Sequence, residues 1–174
     1  VVTDNGTPPL SDSETITIGA NPCGFDVSLW TLTETGGSGE GVGSVAGDVC
    51  APQLFEGNSF QVELRRAIQI TDPRTAIRFA FAPPEFDFRD NAGINDAFEV
   101  AVLDSAGRSI VHTFVPGRDA FLNQSEGQSV LLGAGTTING QEVTVDLSGV
   151  AVGKEVTFVF RLINNDGDQG TQVT

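Results

Sequence analysis

The chain has 174 residues and a formal net charge of −14, from 9 Lys and Arg against 23 Asp and Glu. This length suits one domain with a sizeable core plus a short appendage. So negative a protein repels phosphate backbones and anionic membrane surfaces, which argues against nucleic acid and favours a divalent cation as a partner. The sequence also lacks an apolar run of the roughly 18 residues that a membrane span needs, so we expect no membrane insertion.

The first eighteen residues, VVTDNGTPPLSDSETITI, differ in composition from the rest of the chain. The DNGTPPLS turn followed by an alternating strand resembles the closing hairpin of a cadherin-like extracellular repeat. The resemblance implies that residues 1–18 are the terminal strand of a preceding repeat, or a strand donated to a neighbour. A strand without partners exposes free N–H and C=O groups, so ETITI must pair with the main domain, pair with another chain, or stay mobile.

Period-two alternation of apolar residues dominates the remainder, residues 19–174. The clearest examples are AIRFAFA, AFEVAVLD and EVTFVFRLI, and DSAG and INGQ between such runs predict hairpin turns. Short strands without long helical patterns between them predict an all-β fold, an antiparallel β-sandwich of jelly-roll type. Further predicted strands are SETITI, FDVSLWTLTE, SFQVELRRAIQI, SIVHTF, SVLLG and EVTVDL.

The two cysteines, Cys23 and Cys50, flank the Gly-rich stretch GGSGEGVGSVAGDV. We predict that they form one disulfide, which would stabilise the fold by roughly 3–4 kcal/mol in the chain-entropy model. The alternative is a pair of buried free thiols. A disulfide would place the protein in an oxidising compartment, and we expect it to be secreted or displayed at a cell surface. The chain begins at Val1 without a signal-peptide pattern, so we expect it to be a piece of a longer precursor.

Two acidic segments, EFDFRDNAGINDAFEV and NNDGDQG, crowd carboxylates beside apolar strand residues. Carboxylates taken out of water need compensating charge, and Arg89 is the one cation nearby in sequence. Ca²⁺ binds six to eight oxygens of the kind that Asp/Asn/Gly loops supply. The alternative is that both segments are solvated turns. The predicted ligands are Asp87, Asp90, Asn95 and Asp96 in the first segment, with Asn165, Asp166 and Asp168 as co-ligands or a second site.

Two further features could contribute to ligand binding. GRDAFLN carries Arg118, Asp119 and Asn123 on a predicted connection between strands, and planar polar groups of this kind hydrogen-bond sugar hydroxyls. An internal Arg–Asp ion pair or a further calcium ligand is the more frequent arrangement for such residues. Trp30, the single tryptophan, could stack on a sugar ring, although a place in the core or beside the disulfide is the commoner one for a tryptophan in a strand.

Signals for catalysis are weak. His112 is the single histidine and lies in the predicted strand SIVHTF, which leaves no histidine-based zinc site of the usual kind. The GxSxG, GxGxxG and P-loop motifs are absent from the sequence. A glycosidase needs only two carboxylates, which this chain has, but its acidic residues cluster as ion ligands do. We therefore expect that the protein is not an enzyme.

The stretch from Asn21 to Thr174 contains WTLTETGGSGEG, FEGNSFQVELRRAIQI, INDAFEVAVLD, GRDAFLN, VTVDLSGV and FVFRLINNDGD, in that order. These motifs resemble the jelly-roll modules of large secreted bacterial surface proteins, which are similar to galactose-binding-like carbohydrate-binding modules. The resemblance implies bound calcium, no catalytic activity and, for some members, a glycan ligand. We expect a calcium-stabilised extracellular binding or adhesion module. The alternative is a structural spacer, or a self-assembling surface or filament subunit that pairs through residues 1–18.

Overall fold

The structure is a computed structural model that describes residues 16–17, 29–36, 44–46, 53–57, 59–72, 76–86, 95–164 and 171–173, with the backbone alone at 16–17 and 44–46. Cys23 and Cys50 lie outside the described residues, so their predicted disulfide stays a prediction. Within the described ranges, no helix is long and apolar enough to cross a membrane.

The described residues form thirteen strands. In chain order they are β1 (Ile16–Thr17), β2 (Thr31–Thr35), β3 (Ser44–Ala46), β4 (Gln53–Phe55), β5 (Gln61–Gln69), β6 (Ala76–Ala80), β7 (Ala97–Leu103), β8 (Ala120–Ser125), β9 (Leu131–Leu132), β10 (Thr136–Asn139), β11 (Glu142–Asp146), β12 (Glu155–Ile163) and β13 (Gln172–Val173).

The strands make three sheets. A six-stranded sheet has the order β2-β5-β12-β7-β8-β9, a four-stranded sheet the order β1-β6-β11-β10, and a three-stranded sheet the order β13-β4-β3. The short strand β1 pairs with β6 in parallel, while every other strand pair that the structure describes is antiparallel. The chain is therefore all-β with mainly antiparallel sheets, an arrangement compatible with a β-sandwich. The jelly-roll topology stays a prediction.

Aromatic side chains join the four-stranded and six-stranded sheets. Phe79 of β6 lies edge-on to Phe158 and Phe160 of β12, with ring centroids 5.5 Å and 5.2 Å away. Phe81, just after β6, packs on Phe98 of β7 at 5.1 Å. Such edge-to-face and tilted contacts stabilise a core beyond the area that they bury. The core thus lies between these two sheets.

The strongest alternating patterns in the sequence correspond to these core strands. Ile77, Phe79 and Phe81 are buried, as are Phe98 and Phe158 on the partner sheet. The all-β class predicted from these patterns is confirmed. The predicted INGQ turn is also found, because Asn139 pairs with Glu142 at the end of the β10–β11 hairpin.

Two sequence predictions of local structure are wrong. SIVHTF is not a strand: Ser109 makes one isolated bridge to Leu103, and the rest of the segment is irregular. GRDAFLN is a connection only in its first half, because Ala120 to Ser125 form β8. The pattern of SIVHTF was ambiguous, since alternation in a short segment also suits a loop that packs its apolar side chains on a sheet.

The loop of residues 109–119, called here the outer loop, begins at the core, where Ile110 and Val111 pack, and continues to the face of the six-stranded sheet that is turned away from the core. Its Phe114 packs on a small cluster of Ala101, Leu103, Ala120 and Val159. The backbone of the outer loop also passes so close to Gly133 that a Cβ there would lie 1.7 Å from the carbonyl oxygen of His112. The sheet consequently has a second, smaller apolar contact on its outer face.

Candidate functional site

Two acidic side chains with no exposed surface meet at one threonine. Glu56 follows β4 and Asp96 precedes β7, and both residues are fully buried. The backbone N–H of Thr171 donates to Glu56 Oε1 at 3.0 Å, and the Thr171 hydroxyl donates to Asp96 Oδ2 at 2.7 Å. We call these three residues the Thr171 junction. One uncharged residue therefore orients two carboxylates that lie next to different strands.

Residues of the first acidic segment contact the residues that follow the second one. Glu85 and Gln172 exchange backbone hydrogen bonds of 2.9 Å and 3.2 Å, and the Gln172 amide donates to Glu85 Oε2 at 2.5 Å. Thr171, on the C-terminal side of NNDGDQG, donates to Asp96, on the C-terminal side of residues 87–94. The anchors of both segments thus converge beside the Thr171 junction, although the segments are about 75 residues apart in sequence.

Five of the seven predicted calcium ligands lie outside the described residues: Asp87, Asp90, Asn165, Asp166 and Asp168. Asn95 is exposed, and its side-chain amide donates to the carbonyl oxygen of Glu126 at 2.8 Å. Asp96 lies in the Thr171 junction. Within the ranges that the structure describes, no group of three or more His, Cys, Asp or Glu is placed to hold a metal ion.

The donor chemistry of the Thr171 junction nevertheless suits a hard cation. Glu56 and Asp96 supply carboxylate oxygens, which are the preferred ligands of Ca²⁺ in proteins. The hydrogen bonds from Thr171 orient both carboxylates. Glu56 was not identified from the sequence. The signal that could have found it is FEGNS, an acidic residue at the end of a strand immediately before a glycine turn.

A second polar group crosses the outer face of the six-stranded sheet. Glu63 of β5 lies opposite Arg161 of β12, Arg161 lies opposite Glu99 of β7, and Glu99 lies opposite Asn123 of β8. We call these four residues the polar row. All four are buried, because the outer loop and neighbouring side chains cover them.

Arg161 is the centre of the polar row. Its Nε donates to Glu63 Oε1 at 2.8 Å, and its Nη1 donates to Glu99 Oε2 at 3.1 Å. It also makes a bidentate pair with Asp119 of the outer loop, with distances of 2.9 Å and 2.8 Å. Burial alone would lower the pKa of Arg161, but the hydrogen bonds that it donates to Asp119 and Glu63 outweigh burial and raise that pKa. The guanidinium is therefore a permanent cation between three carboxylates.

Arg161 also affects the titration of its partner in the outer loop. Its hydrogen bonds hold the pKa of the Asp119 carboxyl below the ordinary value, while burial acts in the opposite direction. Asp119 is therefore charged at neutral pH, and its ion pair fastens the C-terminal end of the outer loop to the sheet.

The predicted ligand residues of GRDAFLN lie in or beside the polar row. Arg118 forms an ion pair with Glu99 Oε1, to which Asn123 also donates at 3.1 Å. The ion-pair partner of Asp119 is Arg161 and that of Arg118 is Glu99. The structure brings the three predicted residues together as members of internal ion pairs and hydrogen bonds. About half of the Arg118 side chain stays exposed.

Glu63, Glu99 and Arg161 were not identified from the sequence. Each lies between two apolar residues of a strand, in VEL, FEV and FRL respectively. A charged residue in the same position of three apolar strands was the available signal. Arg65 extends the group, since its Nε lies 3.0 Å from Glu63 Oε2.

Trp30 lies in the core instead of on the surface. It is 7% exposed, and its ring centroid is 5.6 Å from that of Phe160. The Arg66 guanidinium lies 5.8 Å from the Trp30 centroid, within cation–π range. This position does not offer an open ring face for a sugar.

No protein-family model matches the chain, and no curated protein matches it.

Proposed function

We propose that this chain is a non-catalytic, calcium-stabilised extracellular module that serves binding or adhesion. The observation that carries the proposal is the Thr171 junction, where two fully buried carboxylates share one threonine. The junction lies where the anchors of the two acidic segments converge.

The physical support is the kind of oxygen ligand that this end of the fold supplies. A single Ca²⁺ next to Glu56 and Asp96 would bind carboxylate oxygens of both residues, and the acidic segments have enough oxygens to complete a shell of six to eight. The remaining ligands in this proposal are the predicted ones, Asp87, Asp90, Asn165, Asp166 and Asp168.

Calcium would stabilise two loops by binding to both of them. The segments that it would hold connect β6 to β7 and β12 to β13, so the ion would fix two connections at the same end of the fold. Binding of a ligand that recognises only the folded state adds stability by mass action. The chain's own residues would supply the ligands and orient them, and the ion would supply positive charge.

The test is thermal unfolding in EDTA and in 10 mM Ca²⁺. An extracellular site with a dissociation constant of about 10⁻⁴–10⁻³ M would gain roughly 1.4–2.7 kcal/mol at that concentration. For a chain of this size the midpoint should rise by about 3–11 °C, and 10 mM Mg²⁺ should give a smaller rise. Equal midpoints of the unaltered protein in EDTA and Ca²⁺ would refute the calcium proposal.

Single substitutions test whether the calcium-dependent rise of the unfolding midpoint depends on Glu56 and Asp96. Glu56→Gln and Asp96→Asn should each lose most of the calcium-dependent increment, whatever they do to the midpoint in EDTA. Glu155→Gln is the matched control, because Glu155 is exposed on β12, and it should keep the full increment. A glycan array probed with and without calcium tests the binding part of the proposal, in which the exposed half of Arg118 is the predicted contact.

A further inference from the structure

One edge of the four-stranded sheet is formed by the very short strand β1. On one side β6 pairs with β11 at five register positions, from Ala76 with Asp146 to Ala80 with Glu142. On its other side β6 pairs with β1 at two positions, Ile16 with Ile77 and Thr17 with Arg78. The outer edge of β6 is therefore a place where a segment from the N-terminal part of the chain adds to a sheet.

The character of this pairing differs from the rest of the fold. It is parallel, whereas the other described strand pairs are antiparallel. Parallel neighbours cannot be joined by a tight turn, so β1 arrives at β6 from elsewhere in the chain. The side chains of β6 offer it a simple pattern, with Ile77 buried and Arg78 exposed. The alternating segment ETITI matches that pattern, an isoleucine opposite the buried position and a threonine opposite the exposed one.

We propose that the edge of β6 is an assembly surface, and that its partner is the strand Ile16–Thr17 of a second copy of this chain. Exchange of an identical strand between copies keeps the same backbone register, so it costs little beyond the entropy of association. Strand addition to an open edge is also a recurrent mode of recognition, in which main-chain hydrogen bonds supply affinity and alternate side chains supply register.

The covalent connection permits this exchange. Eleven residues, 18–28, separate Thr17 from Leu29. A chain of that length spans up to about 40 Å when extended, which is several times the ~10 Å between packed sheets. The connection can therefore deliver β1 to a neighbouring molecule as well as to its own β6. Because one copy donates a strand at one place and accepts at another, the contact is head-to-tail and can continue into a chain of subunits.

The high negative charge of the chain determines how assembly depends on salt concentration. Two copies with a formal charge of −14 each repel one another, and salt screens this repulsion over about 8 Å at physiological ionic strength. Assembly through neutral backbone rungs should therefore strengthen as salt is added. An association held together by ion pairs between copies would weaken instead.

Cysteine pairs at the register positions test the proposal. Thr17→Cys and Arg78→Cys are made as separate single variants, mixed, and oxidised mildly at increasing protein concentration. The expected product is a covalent heterodimer whose linked peptides contain positions 17 and 78, with a yield that rises with concentration and with salt. Each single variant alone and the unaltered chain are the controls for reaction at Cys23 or Cys50.

The double variant, with Thr17→Cys and Arg78→Cys in one chain, distinguishes strand exchange from pairing within one chain. A chain that carries both substitutions should form linked oligomers at high concentration if the strand exchanges. Closure within single chains at every concentration, together with no heterodimer in the mixture, would overturn the proposal. Ile16→Pro gives a second measurement, since proline removes the N–H that a rung can use. Sedimentation should then show fewer oligomers than for the unaltered chain, and an unchanged distribution would also count against exchange at β1.

Discussion

Replacing Arg161 by methionine should destabilise the protein strongly, because it leaves three carboxylates without their shared cation. Methionine keeps much of the apolar length of the side chain and removes the guanidinium that binds Glu63, Glu99 and Asp119. Breaking a buried ion pair by removing one partner costs about 3–5 kcal/mol. For a chain of 174 residues, 1 kcal/mol corresponds to roughly 2–4 °C, so the unfolding midpoint should fall by about 6–20 °C.

The assay is thermal and urea unfolding at neutral pH, with Arg108→Met as the matched control. Arg108 pairs with Asp104 in a surface turn and is 79% exposed, so its loss should leave the midpoint nearly unchanged. Adding Glu99→Gln should destabilise the unaltered protein, because Arg118 and Arg161 then lose a charged partner. In the Arg161→Met background the same change should recover part of the lost stability. Equal midpoints for Arg161→Met and Arg108→Met would refute the reasoning.

Two further predictions concern the outer loop. Gly133→Ala should destabilise the protein by about 1–3 kcal/mol in urea unfolding, since the new Cβ would overlap the His112 carbonyl oxygen. Gly149→Ala is the control and should be near neutral, because Gly149 has open space around it. Equal effects of the two substitutions would contradict the close approach at Gly133. Asp119 has a pKa below its ordinary value, so its pairing with Arg161 contributes stability that is complete above about pH 4 and lost as the pH falls through the lower, folded-state value. The difference in urea midpoint between the unaltered chain and Asp119→Asn should therefore shrink between pH 4 and pH 2, and a constant difference would exclude this linkage.

The parts of the fold that could be predicted from sequence are those in which one strand carries its own signal. The strand β6 alternates between Ile77 and Phe79 inside and Arg78 outside, and a period of two residues is enough to identify it. Strand β8 was missed because Arg118 and Asp119 precede it and give the segment the polar character of a loop. SIVHTF, the first part of the outer loop, was mistaken for a strand because its apolar residues pack on the sheet.

The polar row could not be predicted because it depends on register. Glu63, Glu99 and Arg161 are 36 to 98 residues apart, and only the pairing of β5, β12 and β7 places them side by side. The Thr171 junction could not be predicted for the same reason. Asp96 was predicted from the local density of acidic residues, but its proximity to Glu56 follows from the pairing of β4 with β13.

The polar row also has a consequence for how the sheet finds its alignment. A shift of β12 by one residue turns its apolar side chains to the wrong face, so the core itself opposes that error. A shift by two residues keeps every apolar side chain on the correct face, and the core discriminates against it poorly. It would, however, place Val159 or Ile163 between Glu63 and Glu99, which would face each other across an aliphatic side chain. Arg161 therefore favours the native register of β12 over the register that is shifted by two residues.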